Sequence, residues 1–94
     1  MSKKEAYEQK IEARLDEWKA EINQLKAKAQ KAEADAQIRY YKQIEDIQAK
    51  QEAARKKLRA LKNAGEDAWK DLKTGLDDAL NRLGDAIKSA TSHF

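Results

Sequence analysis

One apolar line runs through the first two thirds of this chain. It passes through Tyr7, Ile11, Leu15, Trp18, Ile22, Leu25, Ala29, Ala32, Ala36, Tyr40, Ile44, Ile47, Gln51, Ala54, Leu58 and Leu61, always in steps of three or four residues. The line covers 54 residues in 15 steps, or 3.6 per step, which is the period of a straight α-helix. Gln51 is its only polar member. The pattern predicts an all-α chain dominated by a long amphipathic helix over about 3–62. Ser2 and Glu5 have the spacing of a capping box at its start. No glycine or proline interrupts it, and a straight helix of this length measures on the order of 90 Å. Asp46–Lys50 and Glu52–Lys56 are oriented as favourable i,i+4 pairs on its surface. Around 27–36 the line turns to alanine (Ala27, Ala29, Ala32, Ala34, Ala36), which buries little area and makes the weakest part of the seam.

Asn63-Ala-Gly65-Glu-Asp67 is the only punctuation. Asn63 suits either a left-handed helix end or a cap for a second helix, with Glu66 three residues on. A turn is expected at 63–66, although Leu61, Gly65 and Trp69 keep the line in phase and one unbroken rod stays open as an alternative. A second helix is expected over 67–90, with a fraying tail at 91–94. It contains an eleven-residue repeat in which Trp69 matches Leu80, Leu72 matches Leu83 and Leu76 matches Ile87. Eleven residues make three turns, so the repeat stays on one side of a nearly straight helix. Gly75 and Gly84 lie inside it, each costing about 1 kcal/mol against alanine, which marks this helix as weakly held.

Folding the second helix back about residue 65 brings apolar positions together. The expected hairpin core is Tyr40, Ile44, Ile47, Leu58 and Leu61 against Trp69, Leu72, Leu76, Leu80, Leu83 and Ile87. The first 37 residues would then project as an arm. Its apolar residues Ile11, Leu15, Trp18, Ile22 and Leu25 would have no partner in the chain. Burying a large apolar side chain is worth about 1.5–3 kcal/mol, so these five form the expected seam of a coiled-coil homo-oligomer, a dimer or higher. Residues 1–94 thus read as a single helical unit.

Composition agrees with long helices: the chain is 39% charged and 6% aromatic, and without the periodicity it would read as disordered. Twenty basic against 17 acidic groups leave a net charge of +3, with −2 in residues 66–94 and +5 in the remainder. Cysteine is absent, so nothing indicates a redox compartment. No secretory h-region and no spanning run is visible, and the expectation is a cytoplasmic protein.

Little suggests catalysis. The sequence offers no cysteine nucleophile, no Gly-rich phosphate loop and no serine near a base, and a rod provides no cleft. His93 has no local partner for a metal, and pairs such as Asp77/Asp78 read as solvated charge. No enzyme activity, cofactor or small-molecule substrate is expected. Arg55, Lys56, Lys57, Arg59 and Lys62 form a basic cluster, a candidate anion-facing site. It equally reads as cations complementing a helix C-terminus, and no aromatic interleaves with it as a stacking platform. Nucleic acid is therefore not the expected partner.

The stretches Glu66-Asp-Ala-Trp-Lys-Asp-Leu-Lys-Thr-Gly-Leu-Asp-Asp-Ala79 and Leu83-Gly-Asp-Ala-Ile-Lys-Ser-Ala90, with terminal Phe94, resemble a group of small proteobacterial coiled-coil proteins. These proteins are often labelled stress-response or apolipoprotein-like. Tyr7-Glu-Gln-Lys10, Leu15-Asp-Glu-Trp-Lys-Ala-Glu-Ile22 and Tyr40-Tyr-Lys-Gln-Ile44 fit the same group. The resemblance implies a cytoplasmic, stress-related helical protein without catalytic residues. The eleven-residue repeat is also similar to those of exchangeable apolipoproteins. The first functional expectation is a structural or interaction protein that self-associates through its stripe. The alternative is a reversible lipid- or granule-surface binder, in which the second helix leaves the first for an apolar surface. A third is binding of an anionic polymer through residues 55–62.

Overall fold

The computed structural model describes residues 2–94 and is all-α. Three helices follow one another: α1 (Lys3–Gln30), α2 (Ala34–Asn63) and α3 (Trp69–His93). They pack side by side into a body of 51 × 19 × 18 Å. Tyr7 near the start of α1 lies against Trp69 at the start of α3, with ring centroids 5.9 Å apart. Tyr40 near the start of α2 stacks on Phe94 beyond the end of α3, centroids 4.2 Å apart. The chain therefore runs up, down and up.

The expected helix over 3–62 is not continuous. It breaks at Lys31, Ala32 and Glu33, and α1 folds back onto the other two helices. Magnitudes explain why the fold-back wins. It encloses Ile11, Leu15, Ile22 and Leu25, each worth about 1.5–3 kcal/mol when buried. The turn sacrifices only a few helical hydrogen bonds, each worth about 0.5–1.5 kcal/mol net. The break also falls in the alanine-rich segment, where it removes the least core area.

Backbone bonds knit the turn: the Lys31 and Ala32 amides donate to the Lys28 and Ala29 carbonyls at 3.2 Å. The Gln37 side-chain amide donates to the Gln30 carbonyl at 2.9 Å. Glu33 occupies the N-cap of α2 in extended conformation (φ −64°, ψ 156°) and makes no side-chain cap bond. At the start of α1, by contrast, the Ser2 hydroxyl accepts from the Glu5 amide at 3.1 Å.

The second connection covers 64–68, later than the expected 63–66. Asn63 ends α2 in helical conformation and Ala64 caps it extended. Among the described residues neither a glycine nor any other residue has positive φ, so the left-handed end expected at Asn63 is not used. The tail expected to fray continues α3 as far as His93. The Thr91 and Ser92 hydroxyls donate back to the Ile87 and Lys88 carbonyls.

Candidate functional site

The surface with most to offer in this protein is its inside. Every buried residue of α1 and α2 belongs to the apolar line read from the sequence, and α3 adds Trp69, Leu76, Leu80, Leu83, Ile87 and Ala90 to the same cluster. Of the residues expected to form a seam between chains, Ile11, Leu15, Ile22 and Leu25 are buried within the chain and Trp18 is half-buried. The arm is not bare, because α2 and α3 cover it. A second chain is not needed to shelter these side chains.

Of the expected hairpin core, Ile44, Ile47, Leu58, Leu61, Trp69, Leu76, Leu80, Leu83 and Ile87 are buried, and Tyr40 is half-buried. Leu72 departs from the expectation, at 39% exposed. It sits at the rim of α3 beside Lys57 and Ala60, which offer it no large apolar partner. With three helices to satisfy, the shared core is centred away from the two-helix line that would have enclosed it.

The sole polar member of the line keeps its place inside. Gln51 is 8% exposed, and its Nε2 has no hydrogen-bond partner. A buried amide without a partner costs about 1–3 kcal/mol.

Two contacts were invisible in the sequence. The Tyr7 hydroxyl donates a short hydrogen bond to the Asp77 carboxylate, which also pairs with Lys73 at 3.3 Å. The Lys73 ammonium lies 5.3 Å from the Tyr7 ring centroid. Burial first, then the Asp77 hydrogen bond and its negative charge, push the Tyr7 phenol well above its ordinary range. Asp77 is thus a structural partner as well as a solvated charge. The second contact places the Trp18 indole over Gly84, with the Arg14 guanidinium 5.6 Å from the Trp18 ring. An open groove of about 480 Å³ runs past this pair, lined also by Glu17, Glu21, Asp85 and Lys88.

The basic cluster is divided by the fold. Lys62 pairs with Glu12 of α1, and Arg59 lies 3.4 Å from Glu52. Arg55 lines a groove with Glu12 and Asp16. Lys57 lines two others with Asp71 and Asp78, and Lys56 is exposed. Lys4 of α1 donates to the Lys62 carbonyl at 2.8 Å, placing a further cation on the C-terminal end of α2. Three of the five cations thus face acidic groups of α1 or their own helix. The other expected surface pairs divide: Asp46–Lys50 forms at 2.5 Å, whereas Glu52 meets Arg59.

His93 Nδ1 lies 2.6 Å from the Ser89 carbonyl. Among the described residues no group of three or more His, Asp or Glu side chains converges as around a metal ion. Likewise none of the described helices is long and apolar enough to cross a membrane. Compared with family models, curated proteins and solved structures, the chain finds no match in any of the three.

Proposed function

We propose that the chain is a non-enzymatic helical-bundle protein that lends part of its apolar core to a lipid or granule surface, with α3 as the segment that transfers. The observation that carries this reading is the division of α3 into two faces. Its six buried residues fall on one line, and its four basic and four acidic groups lie off it. A helix so divided suits the plane of a lipid interface. With no net charge, it is matched to zwitterionic headgroups.

Detachment is made easier by a helix start that has no side-chain cap at Ala68 and by Gly75 within the helix. The likeness to apolipoprotein-like bacterial proteins points the same way, and with it come a cytoplasmic setting and a stress-related role. Obligate assembly through Ile11, Leu15, Trp18, Ile22 and Leu25 has less support, since those side chains already have partners.

Flotation with small phosphatidylcholine vesicles tests the reading. The chain has no cysteine, so Ala53→Cys with Ala79→Cys places a unique thiol pair on α2 and α3, whose residues line one groove there. The protein with free thiols should float and remain helical. Joining the thiols with a short bifunctional reagent should keep it at the bottom. Absence of flotation with free thiols, or equal flotation when joined, overturns the reading.

A further inference from the structure

The turn between α1 and α2 joins two helices whose apolar lines are in register as if they were one. From Leu25 the line continues through Ala29, Ala32 and Ala36 to Tyr40 in steps of four, three, four and four, without regard for the break at Lys31–Glu33. Nothing in the turn demands a bend: it contains no glycine, no proline and no positive φ. The Glu33 cap leaves the first amides of α2 without a side-chain acceptor. Five alanines between 27 and 36 supply the best helix-forming residue at the hinge.

We infer that this hinge opens into a continuous helix from α1 through α2, and that the released α1 seats in the α2–α3 groove of a second copy, which returns its own α1 in exchange. The occupant is fixed by the fold. A second copy offers the groove in which α1 already lies, so Ile11, Leu15, Ile22 and Leu25 regain the same neighbours and Glu12 again meets Lys62. The straightened hinge replaces the 3.2 Å turn bonds of Lys31 and Ala32 with ordinary helical bonds and loses the Gln37–Gln30 contact. Helix exchange of this kind gives a closed two-fold dimer, whose share rises with protein concentration. Against a bundle of 51 Å, the opened α1–α2 helix measures on the order of 90 Å. Exchange of α1 between copies needs no lipid surface.

Two substitutions favour the bend without touching the core. Glu33 already has the extended backbone that a following proline requires, and Ala34 is the first residue of α2, where proline fits. Inside a continuous helix the same proline is strongly disfavoured. Glu33→Ser supplies the missing cap.

The experiment refolds the natural chain at high concentration and separates species by size with light scattering. Refolding a mixture of ¹⁵N-labelled and unlabelled protein and then joining Glu12 to Lys62 with a zero-length reagent reports which chains are in contact. We expect a dimer whose Glu12–Lys62 links include light–heavy pairs, while the monomer gives only light–light and heavy–heavy links. Ala34→Pro should lower the dimer fraction about a hundredfold or more, and Glu33→Ser should lower it several-fold, both keeping full helix content in the monomer. No dimer at any concentration, a dimer linked only within chains, or an unchanged dimer in Ala34→Pro overturns the inference.

Discussion

The indole of Trp18 rests on Gly84: a Cβ at residue 84 would lie 3.1 Å from Cζ2 of the ring and 3.6 Å from Cη2. The sequence presents Gly75 and Gly84 as two equal weaknesses in α3, yet only Gly75 has open space where a side chain would stand. Gly75→Ala should therefore raise stability by about 0.5–1 kcal/mol through helix propensity. Gly84→Ala gains the same propensity but displaces the ring, at about 1–3 kcal/mol, so it should be neutral or destabilising. Combining Gly84→Ala with Trp18→Leu should recover most of the lost gain, measured as coupling in a double-mutant cycle by urea unfolding. Equal stabilisation by both alanines would show that the indole moves aside freely.

Burial of the Tyr7 phenol, reinforced by its hydrogen bond to Asp77, makes the bundle sensitive to alkali. The phenol is harder to ionise in the folded chain than in the unfolded one, whose tyrosines titrate near pH 10. Above that pH the folded state holds more protons than the unfolded state, so stability falls as pH rises. Below it the contribution is complete. Tyr7→Phe keeps the ring against Trp69 and removes the hydroxyl, which should cost about 1–2 kcal/mol at pH 7. The gap between the two proteins should narrow when denaturation is followed from pH 9 to 11. A constant gap would mean that the hydroxyl does not hold its proton in the fold.

What the sequence disclosed, and where it fell silent, follows from the physics of the stripe. Periodicity reports which side chains face inward, and here it named every buried residue of α1 and α2 down to Gln51. Periodicity is blind to a turn that preserves phase. Because Leu25, Ala29, Ala32, Ala36 and Tyr40 keep their spacing, a rod and a folded-back pair have the same pattern, and only the energy of enclosing four large side chains decides between them. The expectation that Ile11, Leu15, Ile22 and Leu25 have no partner within the chain follows from that one missed bend. Leu72 shows a related limit, since pairing two helices on paper cannot say how a third will share the core. Tyr7–Asp77 and Trp18–Gly84 lie between α1 and α3, and no local signal joins residues that far apart in the chain.

Gln51 gives the core a soft point in the middle of α2. Its Nε2 is buried without a partner, so replacing the amide with Leu or Met of similar length should raise stability by about 1–2 kcal/mol. Chemical denaturation of Gln51→Met and Gln51→Leu measures this. Destabilisation by both would mean that the amide finds an acceptor, such as an ordered water, worth more than the apolar packing that replaces it.

The last side chain of the chain closes the end of the bundle that carries the α1–α2 turn. Phe94 stacks on Tyr40 at 4.2 Å and 26°, and the Tyr40 hydroxyl reaches the His93 carbonyl at 3.5 Å. An offset aromatic pair contributes about 0.5–1.5 kcal/mol beyond the area it buries. Phe94→Ala should therefore lower stability by roughly 1–2 kcal/mol, and Phe94→Leu by less. Hydrogen exchange should show the effect locally: amides of the final turn, including that of Phe94, which donates to the Ala90 carbonyl at 2.9 Å, should exchange faster in Phe94→Ala, while those around Leu76 should follow only the global loss. A free, unprotected last turn in the natural chain would remove the basis for this expectation.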